Sequence, residues 1–221
     1  MSAPTRIVHC TDAIGWLREQ PVLTGCSIVT SLPDVSELGG VRYEEWRRWF
    51  HDAAALIFAR TPDEGAALFY QSDVKRAGTW VDKGYLVQRA AEQEGFALLF
   101  HKIVCRVPAG TRTSGRAGYG HLLCFAKILR EDLSRATPDV LAQAGEMTWV
   151  RAIGLDACRI ACRWVAGHTA TRTIVDPFCG VGTVLAVANE AGLDAVGVEL
   201  NKKRAQKSRG LTLGGPGVAP G

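Results

Sequence analysis

The sequence predicts an α/β fold with a mostly parallel sheet, and three observations lead to this prediction. Short apolar and β-branched runs, typical of strands, alternate with longer amphipathic stretches, typical of helices. The run from Thr173 to Asp176 ends in a Gly-rich turn that opens directly into a helix, residues 184–191. The next strand, residues 195–200, carries Glu199 near its end, where nucleotide-binding α/β folds hold a ribose by its hydroxyls.

Composition is that of a globular protein with one main domain. The 221 residues are 47% apolar and 22% charged, and we assign residues 1–212 to a single domain and residues 213–221 to a flexible C-terminal tail. No apolar run reaches the roughly 20 residues needed to cross a bilayer, and no basic segment followed by an apolar one opens the chain. We therefore expect a cytoplasmic protein with no membrane contact. The net charge of +4 permits a polyanionic partner without demanding one.

Seven Cys residues are spread over predicted strands and helices without a Cys-x-x-Cys pair. A zinc site needs closely spaced Cys and His ligands. We therefore expect no metal, and we interpret most of these residues as small buried hydrophobic side chains in a reducing compartment.

The first strand, residues 6–10, is followed by Asp12, which caps a helix that runs through Leu17. Asp12 is either that cap alone or, because it follows a strand at the ligand edge of a parallel sheet, a hydrogen-bond partner of an adenine amine. A second strand, residues 25–30, leads into a turn formed by Ser31, Leu32, Pro33 and Asp34.

Residues 43–60 form an amphipathic helix whose tryptophans we expect in the core rather than as base-stacking platforms. A buried strand, residues 66–71, precedes a polar loop, residues 72–83, at the same edge of the sheet. Trp80, flanked by cations in this loop, is the kind of side chain on which a base stacks, and Lys83 is a second candidate substrate contact. A solvated connector explains the loop nearly as well.

A helix at residues 83–94 and a long strand at residues 96–107 precede a Gly-rich, basic loop. The strand at residues 121–127 pairs back on the long strand as a hairpin. In the loop, Arg112 and Arg116 either contact nucleic-acid phosphates or only aid solubility. We interpret His101 and His121 as structural. Residues 155–166 form a further helix, and the basic helix at residues 201–209 lies along a phosphate backbone or is a solvated face.

The loop Asp-Pro-Phe-Cys-Gly-Val-Gly-Thr, residues 176–183, resembles the cofactor loop of S-adenosylmethionine-dependent methyltransferases, especially those that methylate bases of DNA or RNA. The third glycine of a dinucleotide fingerprint is replaced by Leu185, and a phosphate-loop Gly-Lys-Ser/Thr is missing, which favours a ligand without a pyrophosphate. The resemblance implies S-adenosyl-L-methionine as the cofactor. It assigns cofactor contacts to Asp12, Thr148, Arg151, Asp176, Phe178, Cys179, Gly180, Gly182, Thr183, Glu199 and Leu200.

The order of the segments resembles that of the permuted amino-methyltransferases, in which an Asp/Asn/Ser-Pro-Pro-aromatic loop comes early and the cofactor loop comes late. The implied fold is a Rossmann-like class I methyltransferase fold with a mostly parallel seven-stranded sheet, one antiparallel strand and a circularly permuted motif order. In that family the early loop binds the amine of the target base. Asp34 stands where the family has an aromatic residue, so stacking is lost and a carboxylate is gained. The implied catalytic residues are Ser31, Leu32, Pro33 and Asp34.

Three hypotheses for the function follow. The leading one is methylation of an unpaired or flipped-out base in structured RNA, such as transfer or ribosomal RNA, with a possible partner subunit for target recognition. Residues 128–146 leave no room for the recognition module that many related DNA enzymes insert, which favours RNA over DNA. The second hypothesis is a DNA amino-methyltransferase or a small-molecule methyltransferase. The third is a catalytically silent subunit that binds the cofactor and RNA.

Overall fold

The computed structural model describes residues 3–132, 134, 137–149 and 152–213. Within these residues, an eight-stranded sheet lies between two layers of helices. The helices are α1 (Ala13–Glu19), α2 (Tyr43–Arg60), α3 (Lys83–Gln93), α4 (Leu155–His168), α5 (Thr183–Glu190) and α6 (Lys202–Gly210), with a 3-10 turn at Val35–Glu37. The strands are β1 (Arg6–His9), β2 (Cys26–Thr30), β3 (Ala67–Gln71), β4 (Val74–Arg76), β5 (Thr79–Val81), β6 (Ala97–Cys105), β7 (Tyr119–Ala126), β8 (Val140–Leu141), β9 (Thr173–Asp176) and β10 (Asp194–Val198).

The strands of the large sheet follow the order β1, β10, β9, β2, β3, β7, β6, β8. Strand β7 runs antiparallel to both of its neighbours, and the other pairs are parallel. Seven of the eight strands were predicted, including the one antiparallel strand. The eighth, β8, lies at the edge of the sheet. Strand β8 pairs with Ile103 and Val104 of β6. Two residues are too few for the alternation that predicts a strand, so β8 could not be recognised from its sequence pattern.

The register of β2 and β9 brings the two motif-bearing loops together. Ile28 lies opposite Val175, so the residues after Thr30 and those after Asp176 leave the sheet at the same edge. The Thr30 hydroxyl donates a hydrogen bond of 2.7 Å to the Asp176 carboxylate across this pair. Segments far apart in sequence therefore form one site.

Two apolar clusters, one on each face of the sheet, form the core. The first contains residues of α4 and α5, such as Cys158, Val165 and Leu185. The second contains residues of α1, α2 and α3, and within it Trp46 and Phe50 are fully buried. The amphipathic pattern of α2 predicted this burial, and both ends of the helix match the prediction.

The loop predicted at residues 72–83 contains a small hairpin formed by β4 and β5. Ala77 and Gly78 connect its strands with φ values of 47° and 75°, the left-handed conformations that tight hairpin turns require. At the other end of the chain, Leu213, predicted as the first residue of the tail, packs partly buried against the first core cluster, and residues 214–221 lie outside the described part of the chain. Among the described helices, none has the length and apolarity to cross a membrane.

Candidate functional site

The glycine-rich turn between β9 and α5 places its two glycines in different surroundings. Gly180, with φ 56°, lines a cavity at the sheet edge. Gly182, with φ 91°, begins α5 and faces α6 instead, because a Cβ there would lie 2.7 Å from the Ser208 Cβ and 3.0 Å from its carbonyl oxygen. Gly182 is therefore needed for backbone conformation and close helix packing, and Gly180 is the glycine that faces the cavity.

The cavity has a volume of about 390 Å³, within the about 300–1,000 Å³ typical of small-ligand sites. It lies at the carboxyl ends of β10, β9 and β2, where open α/β sheets bind ligands. Most of the residues assigned to a cofactor or to catalysis line it: Asp12, Ser31, Leu32, Pro33, Asp176, Phe178, Cys179, Gly180, Thr183, Glu199 and Leu200.

Asp176 is a buried carboxylate at the bottom of this cavity. Its Oδ1 accepts hydrogen bonds from the Thr30 hydroxyl at 2.7 Å and from the Phe178 amide at 3.1 Å. Burial raises the pKa of Asp176 to about 7, because desolvation outweighs these two hydrogen bonds and nearby Glu199 adds to the rise. A cationic ligand group in the cavity would favour the ionised carboxylate.

Glu199 and Leu200 form the far rim. Glu199 is buried, and its Oε1 accepts a hydrogen bond from the Asn201 amide at 2.6 Å and lies 3.2 Å from the Arg204 guanidinium. Leu200 is 70% exposed, although it lines the cavity. An acid beside an exposed apolar side chain suits a ligand with hydroxyls on one side and a flat apolar ring on the other.

Asp12 caps α1, as predicted, and it also lines the cavity. Its Oδ2 accepts a hydrogen bond of 2.6 Å from the Gly15 amide and so caps α1. The same residue also lines the cavity at the end next to β1. The position of β1 beside β10 brings this acid to the rim opposite the glycine turn.

Two tryptophans in the wall were not predicted as site residues. Trp149 packs against Gly180, where a Cβ would lie 3.5 Å from its ring, and the Arg204 guanidinium lies 5.7 Å from the ring centroid. Trp49 packs edge-on against Phe178, with 6.0 Å between ring centroids. Helical periodicity correctly places Trp49 on an inward face but does not distinguish core from cavity wall. In the sequence, Trp149 lies between Thr148 and Arg151, which were both assigned to cofactor contacts, and this position could have identified it.

The turn after β2 is fixed by contacts from neighbouring elements. The Trp46 indole nitrogen donates a hydrogen bond of 3.1 Å to the Pro33 carbonyl oxygen. Asp34 caps the 3-10 turn: its Oδ1 accepts from the Ser36 amide at 3.1 Å, and its own amide donates to Glu37 at 3.1 Å. The turn therefore presents Ser31 and Leu32 in a defined conformation.

Asp34 also forms an ion pair with Lys83, whose Nζ lies 3.3 Å from the Asp34 Oδ2. Burial lowers the pKa of Lys83, and the neighbouring Asp34 opposes that shift. Asp34 thus has two structural roles, as the cap of the 3-10 turn and as the ion-pair partner of Lys83, which the comparison with an aromatic loop position did not predict.

A small polar pocket of about 50 Å³ adjoins the cavity at this turn. Lys83, Arg106 and Arg116 line it together with Asp34 and Tyr70. Ser31, Leu32, Glu37 and Ala152 line both the pocket and the cavity, so the two spaces adjoin at these residues, which we call the shared wall. On its other side the pocket shares Tyr70, Arg106 and Arg116 with an outer cavity of about 670 Å³, bounded by the β6–β7 loop and residues 142–147. The polar pocket therefore lies between the cavity at the sheet edge and the outer cavity, and it adjoins both.

The remaining assigned residues lie elsewhere. Thr148 does not line the cavity, but its hydroxyl is 2.5 Å from the hydroxyl of Thr183, which does. Arg151 lies outside the described residues. Arg112 is exposed on the β6–β7 loop, and Trp80 lies on the β4–β5 hairpin.

Comparison with known proteins identifies relatives of this fold. No protein-family model matches the chain, and no curated protein matches it in sequence. Among solved structures, TTHA0409 from Thermus thermophilus, a candidate DNA modification methylase, has a TM-score of 0.70 at 20% identity over 92% of this chain and 93% of its own. The same protein complexed with S-adenosyl-L-methionine gives 0.69 at 20% identity, over 92% and 91% of the two chains.

Two further solved structures match along most of their length. The cytosine-N4-specific PvuII DNA methyltransferase has a TM-score of 0.71 at 14% identity, over 94% of this chain and 86% of its own. The M1.HpyAVI–SAM complex has a TM-score of 0.61 at 13% identity, over 92% and 97%. The chain therefore has the Rossmann-like class I methyltransferase fold, as the resemblance implied.

Proposed function

We propose that this protein is an S-adenosylmethionine-dependent methyltransferase that modifies a base of nucleic acid. The observation that carries the proposal is the shared wall: Ser31, Leu32 and Glu37 line both the 390 Å³ cavity and the polar pocket. A donor in the cavity and an acceptor in the pocket would meet at that wall. Solved structures with the same fold include a candidate DNA modification methylase and a DNA methyltransferase by name, and two of the structures are complexes with the proposed cofactor.

The residues of the cavity fit this cofactor. Glu199 would accept hydrogen bonds from the ribose hydroxyls, Asp12 would accept one from the adenine amine, and Leu200 would cover the adenine ring. Buried Asp176 lies beside the glycine turn, where the positively charged methionine end would lie. Bound there, S-adenosylmethionine supplies an electrophilic methyl group on a sulfonium.

The turn after β2 would hold the acceptor. The Ser31 hydroxyl and the Leu32 carbonyl accept the two hydrogens of an amine, which directs the nitrogen lone pair toward the cavity. Trp46 and Glu37 keep this turn rigid. Alkylation leaves the amine with a surplus proton, and the Asp34 carboxylate, which is paired with Lys83 and lies with Glu37 in the polar pocket, is the group that would receive it.

The acceptor base must be unpaired or flipped out, because a base inside a duplex does not reach the pocket. The outer cavity, with Arg106 and Arg116 at its inner end, is the path by which such a nucleotide enters. The structural relatives are named as DNA methylases. We retain RNA as the preferred acceptor because the segment between β7 and α4, residues 127–154, is short, and its described residues contribute only one strand, β8, rather than a separate recognition domain.

The first test is calorimetry of the purified protein with S-adenosylmethionine and S-adenosylhomocysteine. We expect binding that Glu199→Gln weakens about tenfold, since a charged hydrogen-bond partner of the ligand is lost. Asn201→Ala, which removes only the cap of α6, is the matched control and should bind normally. A folded wild-type protein with no affinity for the cofactor would disprove the proposal.

The second test identifies the acceptor. Tritiated methyl transfer is measured in parallel on RNA, DNA and cell metabolites from a strain that lacks the protein. Label in RNA supports the preferred acceptor, label in DNA alone replaces it, and label only in metabolites removes nucleic acid from the proposal. Ser31→Ala should abolish transfer with cofactor binding intact. If Ser31→Ala and Asp34→Ala both leave methylation in cells unchanged, the protein is a silent binding subunit.

A further inference from the structure

The β4–β5 hairpin displays a tryptophan that is both anchored and exposed. The Trp80 indole nitrogen donates a hydrogen bond of 2.9 Å to the Oδ2 of Asp73, and Asp73 is only 1% exposed. Trp80 as a whole residue is nevertheless 48% exposed. An exposed tryptophan normally loses conformational freedom when it binds a ligand. Here the hydrogen bond already fixes the orientation of the ring.

A buried network holds the anchor in place. The Oδ2 of Asp73 also lies 2.9 Å from the His121 Nε2, and the His121 Nδ1 lies 2.8 Å from the Nε2 of exposed His101. The Oδ1 of Asp73 accepts from the Lys83 amide at 2.9 Å. With three hydrogen-bond partners on one carboxylate, Asp73 joins the hairpin to β7, β6 and the start of α3.

Aromatic and cationic side chains surround the ring. Tyr119 stacks on Trp80, with 6.4 Å between centroids and 22° between planes. The Lys75 Nζ lies 4.8 Å from the Trp80 centroid, and the Arg76 guanidinium lies 5.0 Å from the Tyr43 ring. Stacking surfaces with interspersed cations are the combination that binds single-stranded nucleic acid without sequence preference.

The hairpin is attached to the loop that borders the acceptor path. Val74 forms a β-bridge with Arg116, and the Lys75 amide donates to the Gly115 carbonyl at 3.4 Å. The Lys75 Nζ donates to the Thr113 carbonyl at 2.7 Å. Arg116 lines both the polar pocket and the outer cavity, so the Trp80 surface is continuous with the path proposed for the acceptor nucleotide.

From these observations we infer that Trp80, with Tyr119 and Lys75, is the platform on which an unpaired base next to the acceptor nucleotide stacks. The inference rests on the proposed function and adds that the substrate is single-stranded on at least one side of the modified base. The exposed cations Arg76 on the hairpin and Arg112 and Arg116 on the adjoining β6–β7 loop favour a polyanion over a protein surface. Within residues 72–83, all of which the structure describes, the one exposed acid is Asp82, and it caps α3.

The test is fluorescence anisotropy with labelled oligonucleotides and no cofactor. Wild-type protein should bind single-stranded RNA and DNA of about ten nucleotides more tightly than the corresponding duplexes. Trp80→Ala should weaken single-strand binding about tenfold, and Trp80→Phe, which keeps a ring but loses the anchor, should weaken it less. Tyr85→Ala removes the other strongly exposed aromatic of this region and is the matched control, expected to bind as the wild type does.

Circular dichroism and cofactor calorimetry on each variant separate the two proposals. Trp80→Ala that folds, binds S-adenosylmethionine and keeps full single-strand affinity overturns the platform and leaves the proposed function standing. Equal losses in Tyr85→Ala and Trp80→Ala, or tighter binding of duplex, also overturn it. A wild-type protein that binds cofactor but no nucleic acid of any kind refutes the nucleic-acid function, and the platform with it.

Discussion

Gln71 is a fully buried amide at the end of β3. Neither its side-chain oxygen nor its side-chain nitrogen has a hydrogen-bond partner among the described residues. A buried polar group left without a partner costs about 1–3 kcal/mol. Because its neighbours Tyr70 and Ser72 line the polar pocket, this destabilising group lies close to the proposed site.

We predict that Gln71→Met, which keeps the length of the side chain and removes the unpaired amide, raises the free energy of unfolding by about 1–2 kcal/mol. Urea unfolding followed by circular dichroism measures the change. Gln93→Met on the exposed face of α3 is the control and should change stability by less than about 0.5 kcal/mol. A decrease for Gln71→Met would mean that the amide has a partner, such as a buried water.

Because the pKa of Asp176 is raised in the folded protein, its carboxyl makes the free energy of unfolding fall as the pH rises. Below pH 3.8 the carboxyl is neutral in both the folded and the unfolded state, so it costs nothing. Between that pH and about 7 the carboxyl ionises in the unfolded chain but stays protonated in the folded one, and the free energy of unfolding falls, by up to roughly 4 kcal/mol.

The predicted outcome is that Asp176→Asn, which cannot ionise, lacks this fall. Urea unfolding of both proteins at pH 5 and pH 8 measures it: the variant should gain stability relative to the wild type as the pH rises. A wild type and a variant that change in parallel with pH would show that Asp176 is already ionised at pH 5.

At the scale of the element, the glycine turn joins β9, α5 and α6. Gly182 combines a left-handed backbone with the close approach of Ser208, whereas Gly192, at the other end of α5, has φ 78° and no atom within 4 Å of the place where a Cβ would stand. The two glycines share the conformational requirement and differ in the space available.

We therefore expect Gly192→Ala to cost about 1 kcal/mol, because alanine is strained in the left-handed conformation, and Gly182→Ala to cost about 3 kcal/mol or more, because α6 must also move. Thermal and urea unfolding provide the two values. Since Glu199 and Arg204 flank the start of α6, Gly182→Ala should also weaken cofactor binding, and Gly192→Ala should not. Equal losses of stability in the two variants would show that the close packing of Gly182 against Ser208 does not contribute to stability.

Elements whose signals are local were predictable from the sequence. Asp12 as a cap and the amphipathic face of α2 are examples, because each depends on residues within one or two turns. The β4–β5 hairpin was not, since its strands have three residues each and are supported by Lys75 contacts with a loop 38 residues away. The role of Gly182 was missed for the same reason: the sequence indicates that a glycine is needed there, but not that Ser208 occupies the space.

At the scale of the whole molecule, the cofactor cavity and the acceptor pocket touch only through the shared wall of Ser31, Leu32, Glu37 and Ala152, as far as the described residues extend. The late cofactor loop and the early turn could be assigned to one sheet edge from the permuted order. The ion pair of Asp34 with Lys83, 49 residues apart, could not, because charge complementarity in sequence does not specify a contact.

Because the cavity and the polar pocket are separate spaces, we expect a substitution in one to have little effect on binding in the other. Glu199→Gln should weaken S-adenosylmethionine binding about tenfold with little change in oligonucleotide affinity, and Arg116→Gln should weaken oligonucleotide binding severalfold with little change for the cofactor. In the double variant each affinity should match that of the single variant that affects it, within about 0.5 kcal/mol. Calorimetry and anisotropy on the four proteins measure this, and a coupling larger than about 1 kcal/mol would show that the two spaces communicate.

The pairing of β1 with β10 has a consequence for how the protein is made. Strand β1 is synthesised well before its neighbour in the sheet, which starts at Asp194, and the Arg6 guanidinium donates hydrogen bonds to the Asn189 side-chain oxygen and to the carbonyl oxygens of Ser208 and Leu211. During translation the half of the sheet from β2 to β7 can assemble while β1 stays exposed, because its partner strand has not yet been synthesised. The cavity at the sheet edge is therefore complete only after α6 has emerged, because Glu199 and Arg204 belong to its lining.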